Sequence, residues 1–319
     1  MQAFLFAARC LSVSLAVFVV LYVSLSVAVS RIWPHLARGA SSLSPRRTAR
    51  RLFQLRILPL VASSVFTLAF TLPSFLLLEP RSTDEEVGAI PLLLGICGLM
   101  LISAGFIRAF AAQRNTARAL TLWLRGARPI ASAVPVPVYQ VDSSAPSLTV
   151  AGVCTSRVLV SESAIAVLSG GEFETALRHE LAHVASRDNF KKLLFRLTPF
   201  PGMYALESAW SDAAEMSADD AAVSDLTDAL DLASALIKLS RLAPVQASVV
   251  FATALLENSS ASLKLRIQRL YSWTSQPASA ASRPSRLLLP ALLAGLFGLA
   301  VSYSSALAAM HAATEWLVR

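Results

Sequence analysis

Along most of this chain apolar and polar residues do not alternate. Apolar residues collect in four long uncharged runs, and the charges collect between them. The first run is LSVSLAVFVVLYVSLSVAV (residues 11–29) and the second ILPLVASSVFTLAFTLPSFLLL (57–78). The third is VGAIPLLLGICGLMLISAGFI (87–107) and the fourth LLLPALLAGLFGLAVSYSSALAAM (287–310). Each is near the ~20 residues that cross a bilayer core, so each predicts a transmembrane helix. Pro59, Pro73, Pro91 and Pro290 fit such helices near their ends, or where neighbouring helices satisfy the freed backbone groups. Arg9 and the triplet Ala28-Val29-Ser30 imitate a signal peptide. The run is longer than an ordinary signal core and a basic loop follows it, which predicts a retained helix.

Between the third and fourth runs the pattern changes. The segments VPVYQVDS, LTVAGV and RVLVSES (136–163) are short, Val-rich and separated by Ser and Thr, which predicts strands. From Ala164 the spacing becomes helical, and Ser169-Gly170-Gly171-Glu172 predicts a capping box at a helix start. TPFPG (198–202) breaks that helix. Further helices are predicted over about 203–224 and 228–242. VQASVVFATALL (245–256) is apolar but too short to span, and reads as a core helix or one lying against the membrane. The expected fold class is therefore a four-helix membrane protein with an inserted α+β domain. Three helices occupy residues 1–107, the domain 108–283, and the fourth helix with a short external tail 284–319.

Composition supports this partition. Hydrophobic residues make up 55% of the chain and charged residues 15%, with a mean hydropathy of +0.58. Soluble globular chains are nearer a quarter charged. The net charge of +8 and pI near 9.9 invite a nucleic-acid reading. The arginines flank the apolar runs and no nucleic-acid motif accompanies them, so the charge reads as membrane topology. The loop between the first two runs carries Arg31, Arg38, Arg46, Arg47, Arg50, Arg51 and Arg56 and no acid. The loop EPRSTDEE carries Glu79, Asp84, Glu85 and Glu86 against Arg81. Arg108, Arg114, Arg118, Arg125 and Arg128 follow the third run, and Arg283 and Arg286 precede the fourth. Excess Lys and Arg mark the cytoplasmic side. The expected topology is N-terminus outside, basic loop inside, acidic loop outside, domain cytoplasmic and C-terminus outside, in the inner (cytoplasmic) membrane. Cys10, Cys97 and Cys154 lie far apart and form no CxxC pair, so neither a disulfide framework nor a thiolate metal site is supported.

The candidate chemistry lies at residues 178–184, R-HELAH-V. On a helix His179 and His183 are one turn apart on one face, so their imidazoles can reach a single metal ion. Glu180 beside them can reach a water on that ion without ligating it, the His-Glu-x-x-His arrangement of zinc peptidases. The helix is otherwise largely apolar, so these polar groups need a partner inside. Catalytic zinc takes three protein ligands and a water. Ser186 and Asn189 stand where a metzincin would need Gly and His. The other two histidines, His35 and His311, fall outside the domain. A carboxylate is therefore expected as third ligand. On the acidic segment SDAAEMSADDAA, Glu215 is the candidate ligand. Asp219, four residues on, is the candidate to orient a ligand imidazole through its ring N–H, whereas Asp212 and Asp220 read as a solvated face. Glu180 would accept a proton from water. Arg266 or Tyr271 is available to hold an oxyanion, with a salt bridge or packing as the plainer role. The strand at 148–153 could pair with an extended substrate backbone.

HELAH with Arg187-Asp188-Asn189, the Pro-containing break, Glu215-x-x-x-Asp219 and LRIQRLY (265–271) resembles the membrane zinc peptidases of the beta-lactam sensor-transducer, or antirepressor, family. The order of three membrane helices, zinc domain and fourth helix resembles theirs as well. The resemblance implies a zincin-like domain, a zinc cofactor, and signal transduction by cleavage of a protein substrate, specifically a cytoplasmic transcriptional repressor. It implies no direct contact with nucleic acid. The chain ends nine residues past Met310, so the family's extracellular penicillin-binding sensor is not expected. Two other readings stay open. One is a housekeeping membrane protease of the prenyl-protein or stress-response type. The other is a non-catalytic transducer stabilised by zinc.

The arginine asymmetry generates a direct test. In a background lacking the three native cysteines, an impermeant thiol reagent added outside the cell should label Thr83→Cys and spare Ser44→Cys. The reverse pattern would place the domain outside.

Overall fold

The computed structural model describes residues 2–38, 43–80, 88–130, 134–142, 146–242, 252–254, 260–273 and 302–315. Three helices among them are long and apolar enough to cross a membrane, and they occupy the first three runs. The first is α1 (Gln2–Arg38). The second comprises α2 (Pro45–Phe66), a π-helical turn Thr67–Thr71 and α3 (Leu72–Leu78). The third is α4 (Ala89–Trp123). Leu68, Leu77, Leu93 and Met100 are all more than 60% exposed, a surface suited to lipid rather than water. Of the fourth run, residues 287–301 lie outside the described residues, and 302–310 fall in a helical segment covering 302–315.

The chain forms two compact units. One gathers Met1–Ile32, Ile57–Ala104 and Ala278–Arg319; the other gathers Trp33–Arg56 and Gly105–Pro277. In the first unit α4 approaches α1 closely because Gly95 and Gly98 present no side chain. A Cβ at Gly95 would lie 3.0 Å from the Ser12 carbonyl oxygen, and one at Gly98 2.9 Å from Val19 Cγ2. Small residues of this kind let membrane helices pack backbone against backbone. Pro73 has no N–H for the carbonyl of Ala69, four residues back. The Tyr303 hydroxyl donates to that carbonyl at 2.7 Å, so the helical segment 302–315 supplies part of what the proline removes.

The second unit is built on a five-stranded sheet: β1 (Arg128–Ile130), β2 (Val138–Val141), β3 (Leu148–Ala151), β4 (Arg157–Ser161) and β5 (Ala252–Ala254). Their order is β1-β2-β4-β3-β5, with β2 and β4 parallel and the other pairs antiparallel. The β5 segment lies inside the stretch 245–256, where a helix in the core or against the membrane was expected. Its described residues pair with β3 instead, in the register Val150 with Thr253. Alternation along the strands gives the sheet two apolar faces. Val158 and Val160 join a core with Ala176, Leu177, Leu232, Leu236 and Leu270, while Leu159 faces Leu120, Trp123 and Leu124 at the end of α4. Burying that end explains why α4 continues sixteen residues beyond the apolar run that predicted it.

Five helices complete the unit after the short α5 (Glu162–Val167). They are α6 (Gly170–Ser186), α7 (Asp188–Leu197), α8 (Tyr204–Ala222), α9 (Leu226–Arg241) and α10 (Ser260–Tyr271). The expected capping box opens α6: Ser169 Oγ accepts from Glu172 N, and the Glu172 carboxylate accepts from Ser169 N at 2.7 Å. Glu172 also accepts from Ser234 and Lys238 on α9. Burial alone would raise its pKa, but the Lys238 and Ser234 bonds outweigh that and hold it near 2. TPFPG separates α7 from α8 as predicted.

Arg56, read from sequence only as a topology charge, is 2% exposed. It donates to Glu207 Oε1 at 2.7 Å, Thr198 Oγ1 at 3.0 Å and the Thr198 carbonyl at 2.6 Å, and lies over the Phe195 ring. Removing one partner of a buried charge pair costs about 3–5 kcal/mol, less where the other partner reaches water, as Glu207 does. Arg56→Ala should therefore destabilise the full chain by about 2–3 kcal/mol, read as a clear fall in unfolding midpoint in detergent. An unchanged midpoint would show that these bonds contribute nothing net.

Candidate metal centre

Helix α6 carries the first half of the site. His179 and His183 are buried, at 0% and 4% exposure, and their Nε2 atoms face each other at 3.2 Å. Each ring is held from behind by a carboxylate. Asp219 Oδ1 lies 3.0 Å from His179 Nδ1, and Asp188 Oδ2 lies 2.8 Å from His183 Nδ1. A carboxylate at Nδ1 keeps the proton there and leaves Nε2 as a lone pair. Two lone pairs at 3.2 Å repel unless a cation or a proton lies between them.

Glu215 on α8 completes the set. Its Oε2 is 3.5 Å from His179 Nε2 and its Oε1 3.5 Å from His183 Nε2. One ligand atom from each of His179, His183 and Glu215 lies within 4.8 Å of the others, and all three residues are buried. Two imidazole nitrogens and a carboxylate, each imidazole backed by a further carboxylate, are a donor set that fits zinc. The residues picked out by spacing along α6 and α8 are thus brought together.

The charges balance around this set. Arg266 on α10 is 1% exposed. It donates from Nε and Nη2 to the two oxygens of Asp219 at 2.8 and 2.7 Å, while Nη1 lies 2.9 Å from Glu215 Oε2. Burial would raise the Glu215 pKa, but Arg266 and the two histidines outweigh it and hold the carboxyl near 2. Asp219 is lowered in the same way, chiefly by Arg266. Asp188 is also held below its usual value, against burial, by His183 and by Lys191 at 2.7 Å. Burial would lower His179, and Asp219 and Glu215 together overcome it to about 9. With no metal the site holds a proton there, which an ion would displace.

Glu180 stands apart from this balance. It is fully buried; its Oε2 accepts from the Val150 amide at 3.0 Å, and its Oε1 has no hydrogen-bond partner among the described residues. Burial raises its pKa to about 7, only partly opposed by His183 and His179. A carboxylate with that pKa and a free oxygen is suited to move a proton at neutral pH.

Beside His183 opens a cavity of about 360 Å³, lined by Val150, Val153, Val184, Arg187 and Phe190 among others. Strand β3 forms part of this wall. Asn189 Nδ2 donates to the Val150 and Gly152 carbonyls at 3.3 and 2.9 Å, tying the strand to α7. The expected substrate-pairing strand is therefore already flanked by β4 and β5. Tyr271 is 59% exposed, and Arg266 is engaged with two carboxylates.

Sequence reasoning missed two parts of the site. Asp188 was quoted within a motif and given no role, yet it holds His183. Asn189 served only to exclude a metzincin, yet it anchors β3. The plainer role expected of Arg266, a salt bridge, is the one it has: it bridges Asp219 to Glu215. Asp212 and Asp220, read as solvated, meet Ser262 and Arg269. No protein-family model matches the chain. A search of curated proteins finds none similar to it.

Losing an outer carboxylate behind a metal-bound histidine costs 10–100-fold in affinity. Asp188→Ala should weaken zinc binding by about that factor, measured by competition with a chromophoric chelator. Asp188→Asn, whose amide oxygen can still accept from Nδ1–H, should recover part of the loss. Equal affinity in all three proteins would remove Asp188 from the centre.

Proposed function

We propose that this protein is a membrane-bound zinc endopeptidase with a zincin-like domain, and that it transduces a signal by cutting a cytoplasmic regulatory protein. The observation that carries the catalytic part is Glu180: buried, with one free oxygen, a pKa near neutrality, and adjacent to three convergent ligands. A purely structural site is usually closed by a fourth protein ligand and has no need of such a group. Bound zinc would supply a Lewis acid that polarises the scissile carbonyl and acidifies water. The chain's own residues do the rest. His179, His183 and Glu215 hold the ion. Asp219 and Asp188 fix the two imidazoles, and Arg266 keeps Glu215 and Asp219 ionised. Glu180 Oε1 takes a proton from the attacking water and passes it to the leaving amine. The cavity beside His183, lined by Ser156, Arg187 and Asn189 as well as by Val150, Val184 and Phe190, receives a substrate side chain.

The signalling part rests on the resemblance of HELAH, Glu215-x-x-x-Asp219 and the helix order to the antirepressor peptidases, which points to a transcriptional repressor as substrate. The arginine asymmetry supports a cytoplasmic domain. Trp33–Arg56 and Gly105–Pro277 are joined to the membrane-spanning unit at four places along the chain. A domain so tethered does not leave the bilayer, and its substrates come to it.

The test uses full-length protein in membranes. Glu180→Gln should keep about one zinc per chain in this centre and lose 10²–10⁴-fold in proteolysis, the usual contribution of a general base. Glu215→Ala should lose both zinc and activity. Full proteolysis in Glu180→Gln would overturn the mechanism. Constitutive cutting of many membrane proteins, with no selectivity for a repressor, would favour the housekeeping reading.

A further inference from the structure

The sequence set His311 aside because it lies outside the zinc domain. In the membrane-spanning unit it has company. His311 and Glu315 are four apart in the helical segment 302–315, on one face, with His311 Nε2 3.5 Å from Glu315 Oε1. Glu79, which caps the C-terminus of α3, places Oε2 3.8 Å from His311 Nδ1. One ligand atom from each of the three lies within 4.8 Å of the others.

We propose that Glu79, His311 and Glu315 form a second divalent-cation site, of zinc-type chemistry, distinct from the centre on α6 and α8. Four observations on different atoms carry it. His311 Nδ1 is buried and has no hydrogen-bond partner among the described residues, although it points toward a carboxylate at 3.8 Å. A buried ring nitrogen without a partner is costly, and a cation between it and Glu79 removes the cost. Glu79 is 91% buried at its side chain, and its other oxygen accepts from Arg9 Nη2 at 2.9 Å. That pairing orients the carboxylate and leaves Oε2 to ligate. The three residues offer one imidazole and two carboxylates, the ligand count of an open zinc site. Glu315 is half exposed, so its side chain can rotate to complete the set without moving the helix.

Filling this site would fasten the C-terminal helical segment to the end of α3. It would add a charged clamp where Tyr303 already bonds the Ala69 carbonyl. On the topology proposed above this end faces outward, so the ion would come from outside the cell. The inference does not depend on the peptidase reading.

The experiment titrates tag-free, chelator-stripped full-length protein in nanodiscs with Zn²⁺ and counts bound equivalents by calorimetry and elemental analysis. Two equivalents are expected for the wild type. One is expected for His311→Gln, for the exposed Glu315→Gln, and for Glu215→Ala; none is expected for Glu215→Ala combined with His311→Gln. Circular dichroism should be the same for the wild type and Glu315→Gln. A single wild-type equivalent that Glu215→Ala removes would overturn the proposal. So would a second equivalent that survives both His311→Gln and Glu315→Gln. If Glu215→Ala keeps both equivalents while His311→Gln loses one, the centre on α6 is what fails, not this site.

Discussion

Arg266 touches Asp219 and Glu215 at once, from a position 1% exposed, and the metal centre depends on that contact. Four acidic side chains, Glu180, Asp188, Glu215 and Asp219, lie buried around two histidines. Burying a carboxylate without a partner costs far more than a domain's net stability, and the ordinary escape is to take up a proton. A protonated Glu215 would be a poor ligand, and a protonated Asp219 could not hold His179 with Nε2 bare. One guanidinium with its fork of donors meets both carboxylates and keeps them charged. Glu180 accepts from the Val150 amide, and of these carboxylates it alone is pushed toward neutrality, by burial. One arginine thus keeps Glu215 and Asp219 charged beside a Glu180 that is pushed the other way.

The second constraint is a turn. Arg187 ends α6 in the left-handed region at φ 55° and starts α7. It is the only non-glycine residue with positive φ among those described. An L-residue there costs roughly 1–2 kcal/mol. The turn returns the chain so that Asp188 meets His183 and Asn189 meets β3, and both bonds offset the strain. Val150 of β3 then donates to Glu180. Glu180 is therefore fixed through a strand, a turn and a helix that are close in sequence, while Glu215 and Arg266 arrive from α8 and α10.

The helices that fit a membrane also serve the domain. Residues from α1, α2 and α4 fall in both compact units. Arg56 buries its charge among Glu207 and Thr198, and the end of α4 covers one face of the sheet at Leu159. A charge-rich segment that looks like a topology signal is, at Arg56, a core residue of the second unit. The positive-inside pattern is a statement about where arginines accumulate, and it leaves open which of them find a partner in the fold.

What the sequence determined by itself is what depends on short periods. Uninterrupted apolar runs gave the three membrane-length helices. Spacings of four placed His179 with His183 and Glu215 with Asp219, because a helix turn brings such residues onto one face wherever the helix goes. Ser169 and Glu172 marked the start of α6 for the same local reason. Tertiary structure decided the rest. Asp188 reaches His183 through a left-handed residue that is not glycine, so no turn signal precedes it. Arg266 is 47 residues from Asp219, and nothing in a helix face says which carboxylate it will meet. Residues 252–254 lie in a largely apolar stretch that would suit a helix, yet they form β5 because β3 offers an edge of amides and carbonyls to pair with. Periodicity is written in the chain; pairing across it depends on which surfaces the folded units leave to be filled.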